Sequence, residues 1–276
     1  MSSHSKRGFT IIETMLFLAI SGVLVVAMIS GVGVSINIQR YRDAVETFKS
    51  LLQNQYSALS SVENDRDNNW SCSPVAASEQ GGTEVRGQSD CVLLGRLVTV
   101  VESEINVYNV LGRPPAVQPP VTDDIVQLRD NYILNVSSVN EDKTTMEWGT
   151  QIALPTNGPE KPNAATARTP RSIAILFVRS PNSGQIYTFT GNTVAPTPTP
   201  EMLRSMLVST GTVTSGQPVQ GRMYRTICIE SNGLFVSADQ SIFINAYANG
   251  PSSIESQSNA VIRDTTIPRP EHTTQC

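Results

Sequence analysis

Glu13 is the only charged side chain between Phe9 and Gln39, and Lys6 and Arg7 precede it without an acid between them. A carboxylate inside an apolar run is costly, and such residues mark function. Other reactive groups are few. His4 and His272, one near each terminus, are the only histidines, which argues against a Ser-His-Asp hydrolase or a His-rich metal centre. Gln80-Gly-Gly-Thr-Glu84 lacks the lysine and the spacing of a phosphate-binding loop. Asp65, Asp67 and Asn69 alternate like the start of a calcium loop, but Trp70 stands where the sharp-turn glycine belongs and Ala76 where the closing Glu would be. An EF-hand is excluded, and a weaker calcium site stays open. No catalytic constellation emerges. The chain is not expected to be an enzyme or to hold a metal or cofactor.

The elements that carry these residues follow from hydropathy. The 26 uncharged residues from Thr14 to Gln39 would form a helix ~39 Å long, more than the ~30 Å of a bilayer's hydrocarbon. Thirteen Leu, Ile, Val or Phe residues between Thr14 and Ile38 favour insertion by about 4–8 kcal/mol before polar costs. Lys6 and Arg7 hold the N-terminus on the cytoplasmic side, so the remainder is exported. Beyond Gln39 the chain turns polar yet keeps a helical rhythm: Tyr41, Val45, Phe48, Leu52, Gln55, Leu59 and Val62 form one stripe. The helix is expected to run from Phe9 to about Val62 and to pack its stripe on the chain's own domain. Asn64 to Asn69 end it.

A plain anchor or a secretory signal cut before Val34 would account for the apolar run but not for Glu13. The residues Gly8-Phe9-Thr10-Ile11-Ile12-Glu13, following Lys6-Arg7 and leading into the apolar run, resemble the type III signal of type IV pilins and pseudopilins. The resemblance implies cleavage after Gly8 by a prepilin peptidase and N-methylation of Phe9. It also implies that Glu13 neutralises the terminal amine of a neighbouring subunit, a buried charge met by its opposite. Residues 1–8 would be the leader, 9–39 the membrane and assembly half of the helix, 40–63 its amphipathic half, and 64–276 the exported domain. Many pilins carry a proline mid-helix where this chain has none. Gly22, Gly31 and Gly33 either weaken the helix locally, let neighbouring helices approach, or are simply tolerated.

From Cys91 onwards β-branched runs alternate with Gly, Pro, Asn and Ser. Strands are expected over Cys91–Val101, Ile105–Val110, Tyr132–Val136, Thr144–Trp148, Ile173–Val178, Gln185–Phe189, Arg225–Glu230 and Leu234–Val236. Turns fall at Pro181–Gly184 and Asn232-Gly233, and Ile242–Ile244 and Val261-Ile262 would be edge strands. Pro200–Leu207 reads as a short helix capped by Thr199. Proline-rich loops cover 114–120, 155–170 and 195–200. The fold class is thus α+β: a long N-terminal helix packed on an antiparallel β domain, as the resemblance also implies. Tyr224–Val236 is similar to the late hairpin of H-type minor pseudopilins.

Cys72, Cys91, Cys228 and Cys276 all lie on the exported side, where disulfides form. Of three possible pairings, Cys72–Cys91 and Cys228–Cys276 are favoured because each joins a loop or tail to a strand. Zinc is the rival, without CxxC spacing to support it.

Charged residues make up only 16% of the chain and the net charge is −4, so no overall positive field gathers nucleic acid. Local phosphate or acidic-ligand contacts stay open at Arg222 and Arg225 beside Tyr224, or at Arg168, Arg171 and Arg179. The expected partners are other pilin or pseudopilin subunits, prepilin peptidase, the lipid bilayer and the inner-membrane assembly platform. A DNA or surface ligand is a further option. The bulk of the domain suggests a minor or tip subunit of a type IV pilus or pseudopilus. Such a subunit would be anchored once in the cytoplasmic membrane and then carried into a periplasmic or extracellular filament. A type II secretion pseudopilin and a pilus-borne adhesin are the alternatives.

Overall fold

The computed structural model describes residues 10–61, 70–71, 79–80, 91–117, 123–137, 142–155, 171–191, 198–207, 225–231, 240–245, 247–258 and 276. Helix α1 runs unbroken over Ile11–Ser60, ~75 Å at 1.5 Å per residue. Gly22, Gly31 and Gly33 do not interrupt it. Its last backbone bond runs from the Ser61 N–H to the Ser57 carbonyl at 3.0 Å, slightly short of the expected end near Val62, which lies outside the described residues.

Burial divides the helix. From Tyr41 onward one face is buried: Tyr41, Val45, Phe48, Leu52, Gln55 and Leu59 of the anticipated stripe, widened by Ala44 and Tyr56. At ~1.5–3 kcal/mol per large side chain, the six large apolar members contribute on the order of 10 kcal/mol. That is the size of a whole domain's net stability. The distal half of α1 is therefore core rather than accessory.

Two antiparallel sheets receive it. Strands β1 (Trp70–Ser71) and β2 (Glu79–Gln80) form a separate small ladder upstream of Cys91. The larger sheet is built on the hairpin of β3 (Val92–Val101) and β4 (Glu104–Arg113), whose tight turn holds Glu102 at φ 55°. Its order is β5-β4-β3-β8-β9, with β5 at Ile133–Val136, β8 at Ser172–Arg179 and β9 at Ile186–Gly191. Strand β6 (Asp142–Thr145) pairs with Glu104–Val107, while β5 pairs with Val110–Arg113, so the two share one edge of β4. Gly95 marks a register shift in β3, and a Cβ there would lie 2.3 Å from the Phe177 carbonyl. Only glycine allows that approach. The second sheet has the order β12-β11-β10-β7, from Ile254–Ser258, Gln240–Ile244, Arg225–Ser231 and Thr150–Ala153.

Alternation explains the long apolar run of β8. Ile173, Ile175 and Phe177 enter the core beneath α1, together with Val98, Val100, Ile105, Ile227, Ile229, Ile242 and Ile244 from both sheets. Ala174, Leu176 and Val178 face a second core. That core is closed by helix α3 (Pro200–Met206) and by residues around a one-turn helix α2 (Asp124–Val126). A strand covered on both faces loses its polar positions. Helix α3 begins as anticipated, with Thr199 accepting from the Met202 N–H at 3.3 Å and Pro200 in the first turn.

Several strand expectations are corrected. The Thr144–Trp148 strand stops at Thr145 and gives way to a 3-10 turn over Glu147–Gly149, because Trp148 adopts φ 55° and ψ 27°. Ile242–Ile244 is interior, since the unforeseen β12 pairs on its outer side and β10 on the other. Strand β7 was likewise unforeseen. The Asn232-Gly233 turn, Leu234–Val236, Val261-Ile262 and the polar stretch 64–69 lie outside the described residues.

Two tyrosines fasten α1 to the sheets. The Tyr41 hydroxyl donates to the Ile229 carbonyl at 2.7 Å and accepts from the Gln240 N–H at 2.8 Å. Tyr56 shares a 2.6 Å hydrogen bond with the Thr188 hydroxyl and meets Phe177 edge-on at 5.0 Å. At the helix surface Lys49 and Gln53 reach Ser256, Pro251 and Ile254.

Burial pushes the Tyr56 phenol up to about 12, against the opposing pull of its hydrogen bond to Thr188. The unfolded phenol ionises near 10, so its contribution is complete below pH ~10 and lost as the pH rises toward ~12. Chemical denaturation across that window should show stability falling on the order of 1 kcal/mol per pH unit more steeply in the wild type than in Tyr56→Phe. Parallel slopes would contradict the burial assigned to this hydroxyl.

Candidate processing and assembly site

The first turn of α1 is built around Glu13. Thr10 is the N-cap, in extended conformation; its hydroxyl accepts from the Glu13 N–H at 3.3 Å, and its own N–H donates to Glu13 Oε2 at 3.4 Å. This reciprocal pair satisfies two backbone donors that a helix start leaves open. The acid also sits at the positive end of the helix dipole. Thr10-x-x-Glu13 ahead of an apolar run is the sequence signature of such a box, so this local role was legible and is an addition to the ion-pairing expectation. Gly8 and Phe9 lie outside the described residues.

Among the described residues, the rod that follows is left largely uncovered. Sixteen large apolar side chains from Ile11 to Ile36 are exposed, at 41–77% of their full surface. Cβ atoms added at Gly22, Gly31 or Gly33 would meet nothing within 4 Å. By length and composition α1 can cross a membrane, and none of its most apolar 18-residue window is buried against the domain. A monomer in water cannot carry such a surface; lipid or other apolar helices must.

The remaining candidates are placed as follows. Cys228 and Cys276 are joined, with Cα atoms 5.2 Å apart, which ties the C-terminus to β10. Cys91 is also disulfide-bonded; Cys72 lies outside the described residues. Among the described residues no three His, Cys, Asp or Glu side chains gather as a metal site.

Among the described residues, Arg171 and Arg179 do not converge. Arg171 and Arg179 bracket β8, ~26 Å apart along the strand. Arg171 is ion-paired with Glu230, which also accepts from Gln151. Arg179 donates to the Gly184 carbonyl of its own hairpin at 3.3 Å. Arg225 opens β10 opposite Ile244, while Arg168, Arg222 and Tyr224 lie outside the described residues.

Comparison with known proteins bears on the N-terminus. The family model of the prokaryotic N-terminal methylation motif matches residues 3–29. No curated protein and no solved structure matches the chain. The matched segment holds Lys6, Arg7, the Gly8-Phe9 junction, the capping box and the first half of the exposed rod. Together the motif and the apolar helix indicate membrane anchoring, followed by a place in a surface or periplasmic filament. The chain carries a prepilin signal of the type IV pilin and pseudopilin kind.

Proposed function

We propose that the chain is a non-enzymatic structural subunit, and a minor one, of a type IV pilus or pseudopilus. It enters the cytoplasmic membrane with its N-terminus inside. A prepilin peptidase then cuts after Gly8 and methylates the amine of Phe9. The subunit passes through the inner-membrane assembly platform into the filament by its N-terminal helix. The observation that carries this reading is the conjunction of the methylation motif with a helix whose large apolar side chains are exposed from Ile11 to Ile36. Such a helix is stable only among lipids or among like helices.

Glu13 supplies register. An acid carried into an apolar layer is costly, up to roughly 2.5–3.5 kcal/mol at the layer's centre and less near its edge, where the first turn of α1 lies. Cleavage creates a cation at Phe9, and the carboxylate of one subunit neutralises the amine of the next. The pair forms only at one axial offset between helices, so the charge selects the offset while apolar packing holds it. The minor role is supported by bulk: residues 64–276 form the exported part, and an abundant subunit must pack its neighbours closely. Of the arginines singled out for a phosphate ligand, Arg171 is already paired and Arg179 is used within its own turn, so these two lend a DNA-binding reading no support.

Mass spectrometry of the protein isolated from cell envelopes tests the processing step. The expected product begins at Phe9 and carries an N-methyl group on that residue. A chain beginning at Met1 or at Val34 would contradict it.

A further inference from the structure

We propose that the Trp148 turn, held by Arg40, is an anchor for the outer surface of the bilayer, seating the exported domain on lipid headgroups while the subunit waits in the membrane. The inference rests on the membrane-spanning reading of α1 given above. Trp148 occupies the tight turn between β6 and β7 with φ 55° and keeps half its surface exposed. Left-handed backbone is unfavourable for a bulky residue, so the surrounding structure holds this ring where it stands. The Arg40 guanidinium lies over it, 4.8 Å from the ring centroid.

Axial distance places this pair. Arg40 is thirty residues beyond the N-cap Thr10 on one continuous helix, a rise of ~45 Å. A bilayer with its headgroups is ≈ 40–45 Å thick. With the start of α1 at the inner surface, Arg40 and Trp148 sit at the outer headgroup layer. Tryptophan is enriched at that level because its ring is apolar and its N–H is polar, and the guanidinium suits lipid phosphate. Arg42, exposed two residues on, adds a second cation at the same level. The contrast is Tyr247, another exposed aromatic with positive φ. It follows β11 near the segment that Gln53 contacts, ~20 Å further along α1, beyond the reach of headgroups.

The chain has two tryptophans, Trp70 and Trp148, so fluorescence can isolate the site. The full chain is reconstituted into vesicles whose lipids carry bromine either at shallow or at deep acyl positions, and co-flotation confirms insertion. In Trp70→Phe, shallow bromines should reduce the emission roughly twofold and deep bromines should have little effect, as for a ring at the interface. In Trp148→Phe the shallow quenching should be lost. The difference between wild type and Trp148→Phe gives the same readout should Trp70→Phe not fold. Co-flotation with Trp148 emission unchanged by either lipid would overturn the anchor and leave the membrane-spanning reading intact. A shift of Trp148 emission seen only on assembly into fibres would assign the ring to a neighbouring subunit instead, and also overturn it. Failure to co-float would remove both readings.

Discussion

The exposed half of α1 constrains everything else about this chain. At ~1–2 kcal/mol for each of its half- to three-quarters-exposed apolar side chains, leaving the sixteen of them in water would cost ~15–30 kcal/mol. The net stability of a folded domain is only ~5–15 kcal/mol. No rearrangement of the domain can absorb that deficit. The rod therefore has two stable settings, lipid and a bundle of similar rods, and a life that passes from one to the other suits a filament subunit. Because lipid and neighbouring helices are equally apolar, hydrophobicity alone does not favour the transfer. A polar term must help to select the bundle and its register, and Glu13 is the only ionisable group in the rod able to supply it.

The same helix would make the globular domain answer to such a register. α1 is continuous from Ile11 to Ser60, and its distal stripe lies in a core shared with both sheets. Tyr41 clasps the β10–β11 ladder near the membrane end, and Tyr56 binds β9 near the other. The domain is thereby fixed in rotation and height relative to Glu13, so an offset chosen at the helix start is passed on to the outer surface. The disulfide between Cys228 and Cys276 ties Cys276 to the same sheet. In the chain-entropy account its 48-residue separation stabilises by about 4 kcal/mol.

Much of this was legible before any coordinates. The apolar run, the stripe from Tyr41 to Leu59, the Pro181–Gly184 turn and the Thr199-capped helix all rest on local chemistry, and the structure places them as read. The remainder depends on partners distant in sequence. Strand β12 is polar, Ile254-Glu-Ser-Gln-Ser258, and becomes a strand only because β11 offers an open edge. Tyr56 lies one position off the stripe beside Gln55, and the helix buries both because two sheets meet it. Trp148 looked like the end of a strand, and its left-handed backbone reflects its setting beside Arg40 and α1 rather than its own preference. Arg171 and Arg179 are close in number but lie at opposite ends of β8. A further local signal is Thr10-x-x-Glu13, which gives Glu13 a capping role beside the pairing role proposed for it.

Those two roles can be separated at Glu13 itself, by measuring insertion and filament incorporation of Glu13→Gln beside Thr10→Ala. Glutamine preserves the capping box but carries no charge, whereas alanine at position 10 removes the cap and leaves the acid. Charge pairing between subunits predicts that Glu13→Gln inserts into the membrane like the wild type yet fails to enter fibres, while Thr10→Ala still assembles. Wild-type incorporation of Glu13→Gln, or loss of assembly in Thr10→Ala alone, would contradict it and reduce Glu13 to a helix cap.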